Sequence, residues 1–157
     1  MSRTSRSLAE TRQQRSKEDW ERPDSLFFAA GACHILAHVF MELYPSSGFH
    51  PFIIVPKNHA RGYHVFVSRN EVAFDAQGYR SRAELIATHV DRRHRRDPAW
   101  EYLIVALDVP VVTPDFCAKY GHLSFDEYHR NPELRALVYL STFPTPDGEL
   151  PGTSGPR

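Results

Sequence analysis

Two β-rich segments, Tyr63 to Ser68 and Glu71 to Asp75, are separated only by Arg69-Asn70. So short a link leaves room for little except a tight antiparallel hairpin. Arg-Asn is a weaker turn pair than Asn-Gly, but asparagine tolerates the positive φ that such turns need. With Arg69-Asn70 as the turn, Ser68 pairs with Glu71, and counting outward sets His64 directly opposite Asp75. Directly opposed Cβ atoms on one face lie about 4.5–5.5 Å apart. The other face then carries Tyr63, Val65, Val67, Val72 and Phe74, an apolar underside suited to a core. Turn length and alternation agree on one register, and that register puts a carboxylate beside an imidazole.

The remaining elements follow from periodicity and punctuation. Ile35, Leu36, Val39, Phe40 and Leu43 recur at helical spacing, which predicts a helix from Cys33 to Leu43, stopped by Pro45. Phe52-Ile53-Ile54-Val55 is a short apolar run between prolines and reads as a buried strand. Ser81-Arg82-Ala83-Glu84 is a capping box that opens a helix packed through Leu85, Ile86, His89 and Val90. Tyr102 to Leu107 reads as a continuous apolar strand. Thr113-Pro114 opens a short helix that Gly121 closes, and Ser124 to Glu127 is a second capping box. Asn131-Pro132 starts a last helix, with Leu134, Leu137, Val138 and Leu140 as its packing residues. One helix, three strands, a helix, a strand and further helices make an α+β pattern around a mainly antiparallel sheet.

Both ends differ from this core. Residues 1–24 are rich in Arg, Ser, Gln and Glu and read as a flexible arm, and 142–157 is a Pro/Gly-rich tail expected to be disordered. A single domain over 25–141 remains, and at 41% hydrophobic and 12% aromatic the chain has the means to build its core. Lys plus Arg and Asp plus Glu both total 19, so nothing in the net charge favours a nucleic-acid or anionic-membrane partner. The basic run Arg92 to Arg96 reads as a solvated helix end. Two cysteines do not make a disulfide framework, so a reducing compartment is expected. Met1 to Arg22 has no apolar signal core, and no stretch approaches the roughly 20 apolar residues that span a bilayer. The expected location is cytoplasmic, with delivery by a signal-less route left open.

Thiol chemistry needs an accessible thiolate, a base to take its proton, and a group that holds the base in one tautomer. Cys33 follows the small pair Gly31-Ala32 and begins a helix, where the dipole and unpaired N–H groups favour an anion. The same N–H groups suit a tetrahedral oxyanion. His64 and Asp75 supply the base and its orienter. Cys117 has no such setting and reads as structural.

Gly31-Ala32-Cys33-His34 at a helix start, Gly62 to Val67 in a strand and Phe74-Asp75-Ala76-Gln77-Gly78 in the next resemble the papain-like thiol superfamily. That group includes transglutaminase cores, cell-wall amidopeptidases and bacterial deamidating toxins. The resemblance covers about residues 25–80. It implies a papain-like fold, with Cys33 as nucleophile, His64 as base and Asp75 as orienter, acting on a protein or peptide amide through a thioester. It also implies, by analogy, an effector or toxin role, and it calls for no cofactor. Papain-type proteases carry a glutamine ahead of the cysteine and a tryptophan after it; both are missing here, which turns the expectation toward a narrow substrate and backbone oxyanion donors.

Two other readings compete. His34 and His38 are four apart on the predicted helix and, with His64 as a third ligand, could hold a metal. A binding module without chemistry could line a peptide groove with His50, His59, Tyr63, Tyr79 and Trp100.

Overall fold

A computed structural model describes residues 7–59, 61–108 and 110–148, without the side chains of Ala9, Arg12, Gln13 and His59. In chain order the elements are α1 (Leu8–Trp20), α2 (Asp24–Phe27), α3 (Cys33–Leu43), β1 (His50–Pro56), β2 (His64–Arg69), β3 (Val72–Asp75), β4 (Gly78–Ser81), α4 (Arg82–His94), β5 (Tyr102–Ala106), α5 (Pro114–Tyr120) and α6 (Pro132–Leu140). The strands form one sheet in the order β4-β3-β2-β1-β5, and all four pairings are antiparallel. This is an α+β fold. No helix of the described residues is long and apolar enough to cross a membrane.

Alternation along the strands feeds two cores. Ile53, Val65, Val67 and Phe74 join α3 and α6 on one side, while Ile54, Phe66 and Ala73 meet Leu85 and Trp100 on the other. Phe40 anchors the first cluster, its ring 5.0 Å from Phe74 and 5.1 Å from Phe49. Ser81 accepts from the Glu84 N–H at 3.1 Å to start α4, as its sequence predicts. Gly121, at φ +68°, closes α5 in the left-handed conformation that glycine adopts without strain.

The hairpin register differs from the expected one by two residues. Arg69 pairs with Val72 and Val67 with Phe74, so the turn is Asn70-Glu71. Asn70, at φ +52°, takes the first turn position, the place where an asparagine is tolerated. A shift of two preserves the faces of a strand, because side chains alternate with period two. His64 and Asp75 therefore remain on one face, but diagonal to each other and not directly opposed.

Other expectations are also corrected. Within 1–24, expected to be a flexible arm, a capping box between Ser7 and Glu10 starts α1. Arg135 holds this end down: its guanidinium lies 4.0 Å over Phe27, bonds Asp24 at 2.7 Å and reaches the Trp20 carbonyl at 2.6 Å. In the expected disordered tail, Phe143 packs against Phe74 and Tyr139, and Arg69 donates to the Pro146 carbonyl at 3.2 Å; 149–157 lie outside the described residues. Strand β4 was not anticipated, and β5 is an edge strand with Leu103 and Val105 exposed. Helix α6 packs through Pro132, Ala136 and Leu140, leaving Leu134, Leu137 and Val138 exposed. The small Ala136 lets α6 approach closely, and that stripe prevails over the bulkier one.

Candidate active site

Cys33 is the first residue of α3, and Ala32 at the N-cap offers no side-chain acceptor, so the first-turn N–H groups stay uncapped. Gly31 has φ +123°, which places a tight bend immediately before the helix. β2 runs past this helix start, and the Val65 N–H donates to Cys33 Sγ at 3.4 Å. His64, the preceding residue on β2, donates from Nε2 to Asp75 Oδ2 at 3.0 Å, and its ring interacts electrostatically with Cys33. The fold thus brings Cys33, His64 and Asp75 together.

The carboxylate is itself fixed. Asp75 Oδ1 accepts from the Gln77 N–H at 2.9 Å in the turn to β4, and Oδ2 also accepts from Arg80 at 2.9 Å. Burial alone would push Asp75 up, but His64, Gln77 and Arg80 together hold it below the usual carboxylate range. Burial likewise works against a charged His64, yet Asp75 and Cys33 outweigh it and raise the imidazole to about 9. For Cys33 burial raises the thiol, while the neighbouring imidazoles of His34 and His64 pull it well below the ordinary thiol range. These directions are mutually consistent. Together they favour a thiolate on Cys33 and an imidazolium on His64, the charge arrangement that a cysteine nucleophile needs.

Sequence reasoning missed two supports of this pair. Arg80 sits on β4, and His89 on α4 stacks on His64 at 5.2 Å with 15° between the rings. His89 gives a hydrogen bond to the Gly62 carbonyl at 2.7 Å, and burial together with the charge on His64 holds it down to about 4. A neutral ring therefore packs against a charged one. His89 was legible as a residue on the packed face of α4, but only the packing of α4 on the sheet reveals what it touches.

The alternative residue sets disperse. His34 Nε2 donates to the Leu123 carbonyl at 2.8 Å, whereas His38 Nε2 faces Glu42 at 3.1 Å and Glu133 at 3.5 Å, so the two rings share no ligand position with His64. Tyr79 belongs to the Phe40 cluster and Trp100 to the opposite one, His50 is exposed, and the His59 side chain lies outside the described residues. They do not line one groove.

Gly31 is exposed with open space beside it, but the openness stops there. Ala32 is buried and Cys33 is 4% exposed. A strap formed by 121–128 covers them: His122 stacks on His34 at 4.4 Å, and the Tyr128 hydroxyl donates to the Gly31 carbonyl at 2.8 Å. A small cleft of ≈ 30 Å³ is bordered by His64, Asp75, Arg80 and His89, and the hollow beside Cys33 and Asp75 has no room for a water. Neither reaches both the sulfur and the imidazole. Comparison with family models, with curated proteins and with solved structures returned no match, so the chemistry is read from the geometry.

Proposed function

We propose that this protein is a thiol-dependent acyl-transfer enzyme acting on a protein or peptide amide, with Cys33 as nucleophile, His64 as proton carrier and Asp75 as the group that orients it. The observation that carries the reading is the imidazole of His64, held at Nε2 by Asp75 3.0 Å away while it interacts with the thiol of Cys33. A cysteine on a helix start, a histidine on β2 and an aspartate ending β3 also support the resemblance to papain-like thiol enzymes.

Cys33 Sγ attacks the amide carbon, and the carbonyl oxygen becomes an oxyanion facing the uncapped N–H groups of α3. His64 gives its proton to the departing amine as the C–N bond breaks, leaving a thioester. Water then attacks, His64 takes one of its protons, and the carboxylic product leaves as Cys33 is regenerated. An amine in place of water gives transfer. Because the strap covers the sulfur, acylation requires 121–128 to move aside, which favours a partner that engages the strap over indiscriminate peptides.

The test uses a small activated ester, p-nitrophenyl acetate, followed by intact-mass and peptide analysis. A single acetyl group on Cys33, removed by hydroxylamine and absent from Cys117, is the expected result. Equal acetylation of both cysteines, or of neither, contradicts the proposal.

A further inference from the structure

His34 and His122 carry no proton in the acyl-transfer scheme, yet both interact with Cys33. Their rings are nearly parallel, 4.4 Å apart with 9° between the planes. His34 is fully buried, and its Nδ1 meets no partner at hydrogen-bond geometry; the buried Nε2 of His122 is likewise unpartnered. Unpaired buried nitrogens are costly, and here both occur beside the same sulfur. The ligating atoms of Cys33, His34 and His122 all lie within 4.8 Å of one another.

We propose that Cys33, His34 and His122 bind a zinc-type divalent cation that silences the thiol and ties the strap to α3. The silencing role, though not the site, rests on the acyl-transfer reading of Cys33. One thiolate and two neutral imidazoles are the donors such an ion takes, with Zn–S about 2.3 Å and Zn–N about 2.0–2.1 Å. Those bond lengths set tetrahedral edges of about 3.3–3.6 Å, so binding draws the ligands in by little more than an ångström and turns the His122 ring out of its stack, so that both rings aim a nitrogen in plane at the ion. The outer contacts already fit. His34 donates Nε2–H to the Leu123 carbonyl at 2.8 Å, so Nδ1 is the nitrogen left for the ion, and the Val65 N–H points at Cys33 Sγ. Burial works against a charged His34, but Cys117 and Cys33 raise it to about 9, so the ion displaces a proton as it binds. Three protein ligands leave a fourth position for water.

The cluster of His38, Glu42 and Glu133 is explained without a metal. There His38 Nε2 is already engaged by both carboxylates, at 3.1 and 3.5 Å. At Cys33, His34 has sulfurs and no carboxylate as its charged neighbours, and neither His34 Nδ1 nor His122 Nε2 meets a partner at hydrogen-bond geometry among the described residues. The location of His122 matters as well: it follows Gly121 and belongs to the strap, so an ion bound there would fasten the cover over the thiol.

The experiment titrates the full chain, reduced with a phosphine and stripped by chelator, with zinc chloride against a chromophoric chelator. Cys33 alkylation by iodoacetamide is followed on the same samples. One zinc per chain is expected, with Cys33 labelling slowed at least about tenfold and restored by added chelator. His122→Ala and His122→Asn should each weaken zinc at least about tenfold, whereas His64→Ala should still bind it, since His64 is not a ligand. Zinc that binds equally well to both His122 variants, or not at all to the parent, overturns the site. Zinc that binds through His122 to a protein whose Cys33 labels no faster than Cys117 supports the site and overturns the acyl-transfer reading.

Discussion

Cys33→Ala is expected to abolish acetylation by p-nitrophenyl acetate and to lower turnover of any amide substrate at least about 1,000-fold, because no other group in the site can form the thioester. The fold should survive. The substitution removes one sulfur atom from a buried position and adds no bulk, a change on the order of 1 kcal/mol. In a domain of this size that corresponds to about 2–4 °C in Tm. The loss of reactivity would then be chemical, not structural. Cys117→Ala provides the control: Cys117 is just as buried, with its Sγ directed at the Leu123 carbonyl, and its removal should leave acetylation intact. Near-parental turnover in Cys33→Ala would contradict the mechanism outright.

Phe40→Ala should produce the largest loss of stability. Phe40 is fully buried in the middle of α3 and touches four other rings: Phe74, Phe49, Tyr44 and Tyr79. These neighbours belong to β3, β4 and the segment between α3 and β1, so no single element can shift to fill the space. Truncating a phenylalanine in such a setting costs about 3–5 kcal/mol, against a total of about 5–15 kcal/mol for a domain. Thermal unfolding should move down by about 10 °C or more. Because α3 carries Cys33 at its first residue, the same variant should lose thiol reactivity as its melting range is approached. A Tm within about 2 °C of the parent would mean that α3 is not packed as described.

Much of the architecture could be read from the chain because it is written in local signals. Cys33–Leu43 follows apolar spacing, Ser81 and Asn131-Pro132 mark helix starts, and Gly121 marks an end. The turn of the hairpin was misplaced because both Arg69-Asn70 and Asn70-Glu71 contain the asparagine that matters. His64 and Asp75 still met, since the error was an even number of residues. Helix α1 escaped notice because its apolar residues show no stripe; only the Ser7 and Glu10 capping box pointed to it. The outward stripe of α6 was mistaken for the inward one because Leu134, Leu137 and Val138 are larger than Ala136, and sequence alone does not tell which stripe finds a partner.

In the site, Cys33, His64 and Asp75 were legible as a nucleophile, a base and an orienter, from a helix start and a hairpin face. The strap was not. Its contacts join Leu123 to His34 and Tyr128 to Gly31, residues about ninety to a hundred positions apart, and no periodicity encodes such pairings. That is also why the histidine pair His34 and His38 looked like one site, while the fold assigns each ring a different neighbour.

The account turns on the thiol of Cys33 being activated by His64, and the two cysteines supply an internal comparison. Both are 4% exposed, so accessibility does not separate them and reactivity reports on the charge state of the sulfur. The decisive measurement is the rate of iodoacetamide labelling at neutral pH, with chelator present and each cysteine resolved by peptide mass. Cys33 should label at least about tenfold faster than Cys117, and His64→Ala should shrink the difference, with the His34 imidazole retaining part of it. Equal, slow labelling of both sulfurs in the parent protein would contradict the account.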